Sequence, residues 1–478
     1  MKLSKLKLTT PYLDLDELFY DKVEPTPLEK PFLISASKDA ARLLDVKGDI
    51  AHDEWLVDVV NGTRKLDGST TFAMCYAGYQ FGYFVPRLGD GRAINLGKVN
   101  GQNLQLKGSG LTEYSRQGDG RAVLRSSVRE YLMSEAMHGL GIETSRALAL
   151  IGSDTDVARQ SWEKGAIVLR LSPTWIRFGT FEYFAASGEH QKLQQLADYV
   201  IDESFPELKD ETDMYLKMFT QIVKNTASTI ARWQSVGFNH GVMNTDNMSI
   251  DGRTIDYGPF AFLDDYQSNY VCNHTDHEGR YSFRNQPGIA KWNLEQLARA
   301  LSPILSLDKA TKVIEEFVNY YEDEYLDIMY DKMGLHIRID TDLDLFVEML
   351  EALEATPTDY TKFFRILSKY DGNRTDILEL VVFKKPLQEW LDSYDERLKL
   401  ETQSVDERNK MMLGVNPKFI LKNHLLQEAI EKANIGDFSM IDDMLKVVLT
   451  PFDEHHKFNY LTASAPDNAK NIKLSCSS

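Results

Sequence analysis

The stretch His240-Gly-Val-Met-Asn-Thr-Asp-Asn247, followed by Asp256-Tyr-Gly258, constrains this 478-residue chain more than any other. It sets an asparagine and an aspartate on either side of a short link that ends in Ile255. Both are hard oxygen donors, suited to Mg2+ or Mn2+ bridging the phosphates of a nucleotide. Asn-Thr-Asp-Asn and Asp-Gly are also ordinary turn chemistry. Asp256 stands at a strand end, however, where Tyr257-Gly258 leaves it exposed, and that placement favours metal binding over a plain turn.

A kinase catalytic loop reads H-R-D-x-x-x-x-N, with D-F-G downstream. Aligned on His240, the arginine position holds Gly241, the catalytic-aspartate position holds Val242, and the asparagine is Asn247. The metal ligands Asn247 and Asp256 are in place while the usual base is missing. Asp246, beside the metal ligand, can take a proton from an attacking hydroxyl in its stead; a hydrogen-bonding role behind the ligands is the alternative. His240 reads as the residue that orders the loop through a backbone hydrogen bond.

Upstream, Lys107 ends the apolar strand Leu104-Gln-Leu-Lys107, and Glu130 follows on a helix. Kinases hold phosphates with such a lysine, oriented by such a glutamate. A surface lysine, with Glu130 paired to Arg129, is the plainer alternative. Gly89-Asp-Gly-Arg92 is a tight turn able to offer backbone N–H groups to phosphate, or a simple hairpin turn. Gly118-Asp-Gly120 is expected to open a helix running to about His138, with Asp119 at the nucleotide or serving as an N-cap. Arg170 interrupts the apolar run Ala166–Leu171. A guanidinium is costly to bury there unless an anion meets it. Phosphate is one such anion, with Arg177 as a second clamp; a salt bridge to a carboxylate such as Glu182 is the other. Phosphate at Arg170 would occupy the place where a kinase holds adenine, so the nucleotide would lie reversed. Attack at its α-phosphorus would then transfer AMP and release pyrophosphate.

Composition narrows the partners. The net charge of −18 disfavours nucleic-acid and anionic-membrane binding, which reward a basic surface. Between Lys107 and Arg177 the balance reverses locally, with ten basic and eight acidic residues, as a polyphosphate site requires. The N-terminus has no signal-peptide core, and no run approaches the roughly 20 apolar residues of a membrane span. A cytoplasmic monomer is the expectation. Three cysteines do not make a disulfide framework, and His274 and His277 beside Cys272 match no zinc spacing.

The order of elements predicts an α+β, kinase-like bilobal fold: a β-rich N-lobe and a predominantly helical C-lobe with additional C-terminal helices. The divisions expected are an N-terminal extension packing on the core (1–70), an N-lobe with the phosphate-binding residues (71–185), a C-lobe with the catalytic and metal loops (186–290), a helical region (291–461) and a flexible tail carrying Cys476 (462–478).

These residues together resemble the SelO (YdiU) family of pseudokinases, which are protein adenylyltransferases. The match is carried by Tyr76-Ala-Gly-Tyr-Gln-Phe-Gly82, Pro86–Arg92, Leu106-Lys-Gly108, Tyr114-Ser-Arg116, Gly118–Arg125, Arg129-Glu-Tyr-Leu132, Arg177-Phe-Gly179, His240–Asn247, Ile255–Phe260, Cys272-Asn-His274 and the terminal Cys476-Ser-Ser478. Tyr79 departs from the family's usual histidine, and the loop between Arg92 and Lys107 is short. The resemblance implies that Lys107, Arg170 and Arg177 hold phosphates, with Gly89, Gly91, Arg92, Asp119 and Gly120 also lining the nucleotide. It implies Mg2+ or Mn2+ on Asn247 and Asp256, Glu130 positioning Lys107, and Asp246 as proton acceptor. It implies AMP transfer from ATP to Ser, Thr or Tyr hydroxyls of proteins, the enzyme itself included. UMP transfer from UTP, an ordinary phosphotransferase and a non-catalytic nucleotide-binding scaffold are the alternatives. Cys272 and Cys476 are a candidate reversible disulfide, or else two unpaired thiols.

Overall fold

Along Gln102–Lys107 and Trp162–Ser172, alternate side chains point to opposite faces. The two strands pair antiparallel with Gln105 opposite Arg170 and Lys107 opposite Val168. Cross-strand partners share a face, so Gln105, Lys107 and Arg170 all project to one side. Leu104, Leu106, Leu169 and Leu171 project to the other, where they join a core with Leu3, Leu6, Leu8, Leu44 and Leu56 from the N-terminal region. One face of the sheet is thus sealed by chain 1–60, and the other is left for the site.

The computed structural model describes residues 1–470, 472 and 474. Its main sheet has eight strands, in the order Tyr20–Lys22, Phe72–Met74, Ala93–Val99, Gln102–Lys107, Trp162–Ser172, Arg146–Ala158 and Phe32–Ala36, with Ala122–Val123 paired to Trp162–Ser172 off this path. Every pairing is antiparallel. The N-terminal region, read as an extension on the core, also supplies the strands at both ends of the path. Pro25, Pro27 and Pro31 sit between these two strands, where no ladder N–H is needed.

Past Arg177 the chain becomes helical, through Phe178–Ala186, His190–Ser204 and the long Met214–Ser235. After the site loops, helices run from Gln286–Ala300 to Ser439–Val448. A β-rich first part and a helical second part make the α+β, kinase-like fold that the order of motifs implies. Among the described residues no helix is long and apolar enough to cross a membrane.

The helix Leu124–Gly139, which carries Glu130, is held from both sides. The buried Glu135 accepts from Arg146 Nε at 2.8 Å and from Ser37 Oγ at 2.6 Å. Arg129 donates to Phe260 O at 2.9 Å and to Asn423 Oδ1 at 3.0 Å, tying in the C-terminal helices. Gly139 passes so close to Val448 O that a Cβ would lie 1.8 Å from it. This helix does not begin at Gly118-Asp-Gly120. Gly120 takes φ 68° to turn beneath Gly110, the strand Ala122–Val123 follows, and the helix starts at Leu124 from an extended Val123. Strand pairing with Trp162–Ser172 outweighs the helical periodicity of these residues.

The tail is docked over its described part. Ser464 donates to Asp359 Oδ2 at 3.0 Å, Lys470 pairs with Asp265 at 2.6 Å, and Leu474 bridges to Asn273. Cys476 lies outside the described residues.

In the C-terminal region Lys332 is buried, with its Nζ 2.8 Å from Asn416 Oδ1 and 4.0 Å above the Phe364 ring. Burial pushes its pKa down from 10.5 to about 7. Below about 7 both folded and unfolded chains hold the proton, so stability does not depend on it. Between there and about 10 the unfolded chain holds one proton more, and stability rises with pH. The stability of the wild type, followed by its melting temperature, is therefore expected to climb relative to Lys332→Met between about pH 7 and pH 9, by up to about 1.4 kcal/mol per pH unit. Parallel pH profiles for the two proteins would show that Lys332 stays charged.

Candidate active site

The face shared by Gln105, Lys107 and Arg170 meets the helix Leu124–Gly139 and the loop that ends in Asp256. Lys107 Nζ lies 2.6 Å from Glu130 Oε2 and 3.1 Å from Asp256 Oδ1. Arg170 Nη1 lies 2.6 Å from Glu130 Oε1 and 2.5 Å from Asp256 Oδ1, and its Nη2 donates to Gln105. Arg177 Nη1 reaches Asp256 Oδ2 at 2.5 Å and the Asp246 carbonyl at 2.8 Å. Glu130 is thus paired with Lys107 and Arg170, while Arg129 turns away to Phe260 and Asn423. Glu182, weighed as a partner for the arginines, instead accepts from Thr245 Oγ1 at 2.6 Å.

Both guanidiniums are almost fully buried and lie over aromatic rings, Arg170 on Trp175 and Arg177 on Tyr76. Their Nε atoms have no partner. Burial by itself would raise the Asp256 pKa; the charges of Arg177, Lys107 and Arg170 override it and hold the carboxylate well below its usual range. Burial lowers the Lys107 pKa, against the pull of Asp256 and Glu130. Asp256 also takes a left-handed φ of 59°, a strained conformation for an L residue that the three cations hold in place.

His240 orders the loop from behind, with its Nε2 hydrogen-bonded to Ile255 O at 3.1 Å and its ring stacked on Trp233. Burial lowers its pKa, in keeping with a neutral, structural ring. Asn247 donates Nδ2 to Val242 O at 3.0 Å, which leaves its Oδ1 as a ligand atom. Asn247 Oδ1 with the Asp256 carboxylate is an all-oxygen pair. Such a pair would suit a divalent cation in an open site, not a closed protein cage; no group of three or more His, Cys, Asp or Glu suited to a metal occurs among the described residues.

Asp246 is buried, and burial raises its pKa to about 6. Its Oδ2 accepts from Gln80 Nε2 at 3.3 Å, while Oδ1 has no partner. Gly89 and Gly91 pack under Tyr114, where a Cβ on Gly89 would lie 2.2 Å from the ring. Asp119 is not an N-cap: it accepts from Arg121 N at 2.9 Å and pairs with Arg159 at 2.7 Å at the rim.

One cavity of about 690 Å3 is lined by Gly89, Gly91, Arg92, Lys107, Asp119, Gly120, Glu130, Arg170, Arg177, Asp246, Asn247 and Asp256. Residues unremarked in the sequence share it or support it. Asp90 is buried 3.9 Å from Arg177 and accepts from Met74 N at 3.0 Å. Gln105 was legible in principle, since it lies two residues before Lys107 on the same strand face. Gln80 carries no local signal, because only the fold brings it to the loop. Cys272 lies outside this cavity, buried beside Ala261 and Leu474, with Sγ donating to Pro259 O at 2.6 Å.

The match to known proteins extends well beyond this cavity. A family described as protein adenylyltransferase SelO matches residues 2–449. A protein nucleotidyltransferase YdiU of Aliivibrio fischeri (strain MJ11) is 44% identical over 481 residues, covering 99% of either chain. Proteins of the same name from Thioalkalivibrio sulfidiphilus, 44% identical over 490 residues, and Myxococcus xanthus, 42% identical over 485, cover 99–100% of both chains. With the kinase-like fold and a cavity lined by cations, likeness of this extent shows that the chain belongs to the SelO family of nucleotidyltransferases.

Proposed function

We propose that this protein transfers AMP from ATP to Ser, Thr or Tyr hydroxyls of proteins, itself included, and releases pyrophosphate. The observation that carries the reading is the pair of buried guanidiniums, Arg170 and Arg177, that line the cavity against Asp256, where a purine would need apolar walls. Cations there call for phosphate. The nucleotide would then lie reversed, its phosphates on Lys107, Arg170 and Arg177 and its α-phosphorus at the metal pair.

Lys107, oriented by Glu130, neutralises phosphate charge at a fixed point. Gly89, Gly91 and Gly120 line the nucleotide, with Arg92 and Asp119 beside them. Mg2+ or Mn2+ on Asn247 and Asp256 supplies Lewis-acid stabilisation of the phosphate oxygens. Asp246 accepts the proton of the acceptor hydroxyl as its oxygen bonds to the α-phosphorus, and the bond from that phosphorus to the pyrophosphate oxygen breaks. The reading places the enzyme in the cytoplasm as a monomer acting on proteins, in keeping with the charge balance. Cys272 and Cys476 are proposed as a reversible disulfide; the described chain ends at Leu474, beside Cys272.

Two labelled ATP samples test the chemistry. Label is expected on protein from the α-position and not from the γ-position. Label from γ alone would make the enzyme a phosphotransferase; none from either, with ATP still raising the melting temperature, would make it a scaffold. Substituting α-labelled UTP separates UMP from AMP transfer.

Arg170→Met is expected to raise KM for ATP about ten- to a hundredfold, the value of a charge-assisted contact. An unchanged KM would place the phosphates elsewhere. Asp256→Ala is expected to lower metal-dependent transfer at least about a hundredfold; retained transfer would show that the metal binds at other residues.

A further inference from the structure

The hairpin formed by Gly78–Gln80 and Tyr83–Val85 lies against the loop that carries Asp246. Its backbone is tied down at the turn. Tyr79 N donates to Thr245 Oγ1 at 2.7 Å, and Phe81 N donates to Tyr281 Oη at 2.9 Å and Asn244 Oδ1 at 3.3 Å. Tyr281 Oη donates in turn to Asn244 Oδ1 at 2.7 Å, which closes the network. Phe81 takes φ 52°, a strained left-handed conformation that these bonds hold. The hairpin is therefore fixed relative to the catalytic loop.

Gly78 is the point of closest approach. A Cβ there would lie 2.7 Å from Asp246 Oδ1 and 2.9 Å from Asp246 Cβ. Asp246 Oδ1 is closed off beneath it without a hydrogen-bond partner. Oδ2 is the oxygen left to meet an incoming hydroxyl, and among the described residues Gln80 Nε2 is the one side-chain donor that reaches it. Gln80 itself lines the cavity.

We infer that Gln80 is a positioning residue for transfer: its amide fixes the Asp246 carboxylate so that Oδ2 faces the acceptor hydroxyl. The inference rests on the reading of Asp246 as proton acceptor. A neutral amide suits the task. It offers one hydrogen bond and leaves a second lone pair of Oδ2 for the hydroxyl, whereas a lysine or arginine at this position would engage the carboxylate as a permanent ion pair. The hairpin acts as the rigid support and Gln80 as the contact that carries its rigidity to the base.

The test uses Gln80→Met in the full chain, which keeps the length of the side chain and removes the donor. With α-labelled ATP, kcat is expected to fall about tenfold, the low end for a hydrogen bond to a charged group, while KM for ATP and the melting temperature stay at wild-type values. In an Asp246→Ala background the same change is expected to leave the residual turnover unaltered, because the group it positions is gone. A wild-type kcat in Gln80→Met, or an equal fall in the Asp246→Ala background, would overturn the role of Gln80 alone. A lowered melting temperature with weakened ATP binding would also overturn it, by showing a structural role. Full turnover in Asp246→Ala with the wild-type Gln80 would instead remove the reading of Asp246, and the inference with it.

Discussion

The site depends on the meeting of three buried cations with one carboxylate. Lys107, Arg170 and Arg177 come from a sheet strand, its neighbour and the start of a helix, and all three reach Asp256. Each would be expensive to bury alone. Together with Glu130 they form a network of three cations and two carboxylates, one positive charge in excess, and it can hold Asp256 in a strained backbone conformation. Breaking one contact leaves a buried charge uncompensated, so the surrounding fold is built to keep all of them. Chain 1–60 seals the back of the sheet, the Glu135–Arg146 pair pins the helix that carries Glu130, and the C-terminal helices brace that helix from outside.

The same arrangement connects stability to function. Cations gathered at one end of a cavity attract anions, and the SelO family supplies the chemistry that uses them. On the proposed reading, Asp256 would exchange guanidinium partners for a divalent ion, and the guanidiniums would exchange a carboxylate for phosphate. A polar end to the cavity is also what distinguishes it from a pocket that holds a purine between apolar walls.

Much of this was legible in the residues. Motif spacing marked Asn247 and Asp256, and a basic residue inside an apolar strand marked Arg170, because local patterns persist where local chemistry demands them. The misreadings share a cause. Gly118-Asp-Gly120 looked like a helix start, but pairing with a strand 40 residues away decided its conformation. Asp90 looked like a turn residue and is buried near Arg177. Gln80 gave no sign at all, since its contact with Asp246 spans 166 residues of chain. Tyr79, in the place of the family's usual histidine, serves the loop through its backbone N–H, a contact indifferent to the side chain.

The chain's own residues determined the class of fold and brought the oxygen-bearing Asn247 and Asp256 and a basic stretch into view, because periodicity and charge are properties of short segments. Tertiary structure decided which cation meets which anion, which oxygen of Asp246 is free and which helix end carries a strand first. Those outcomes depend on distances between segments far apart in the chain, and such distances exist only once the sheet register and the packing of the helices have been set.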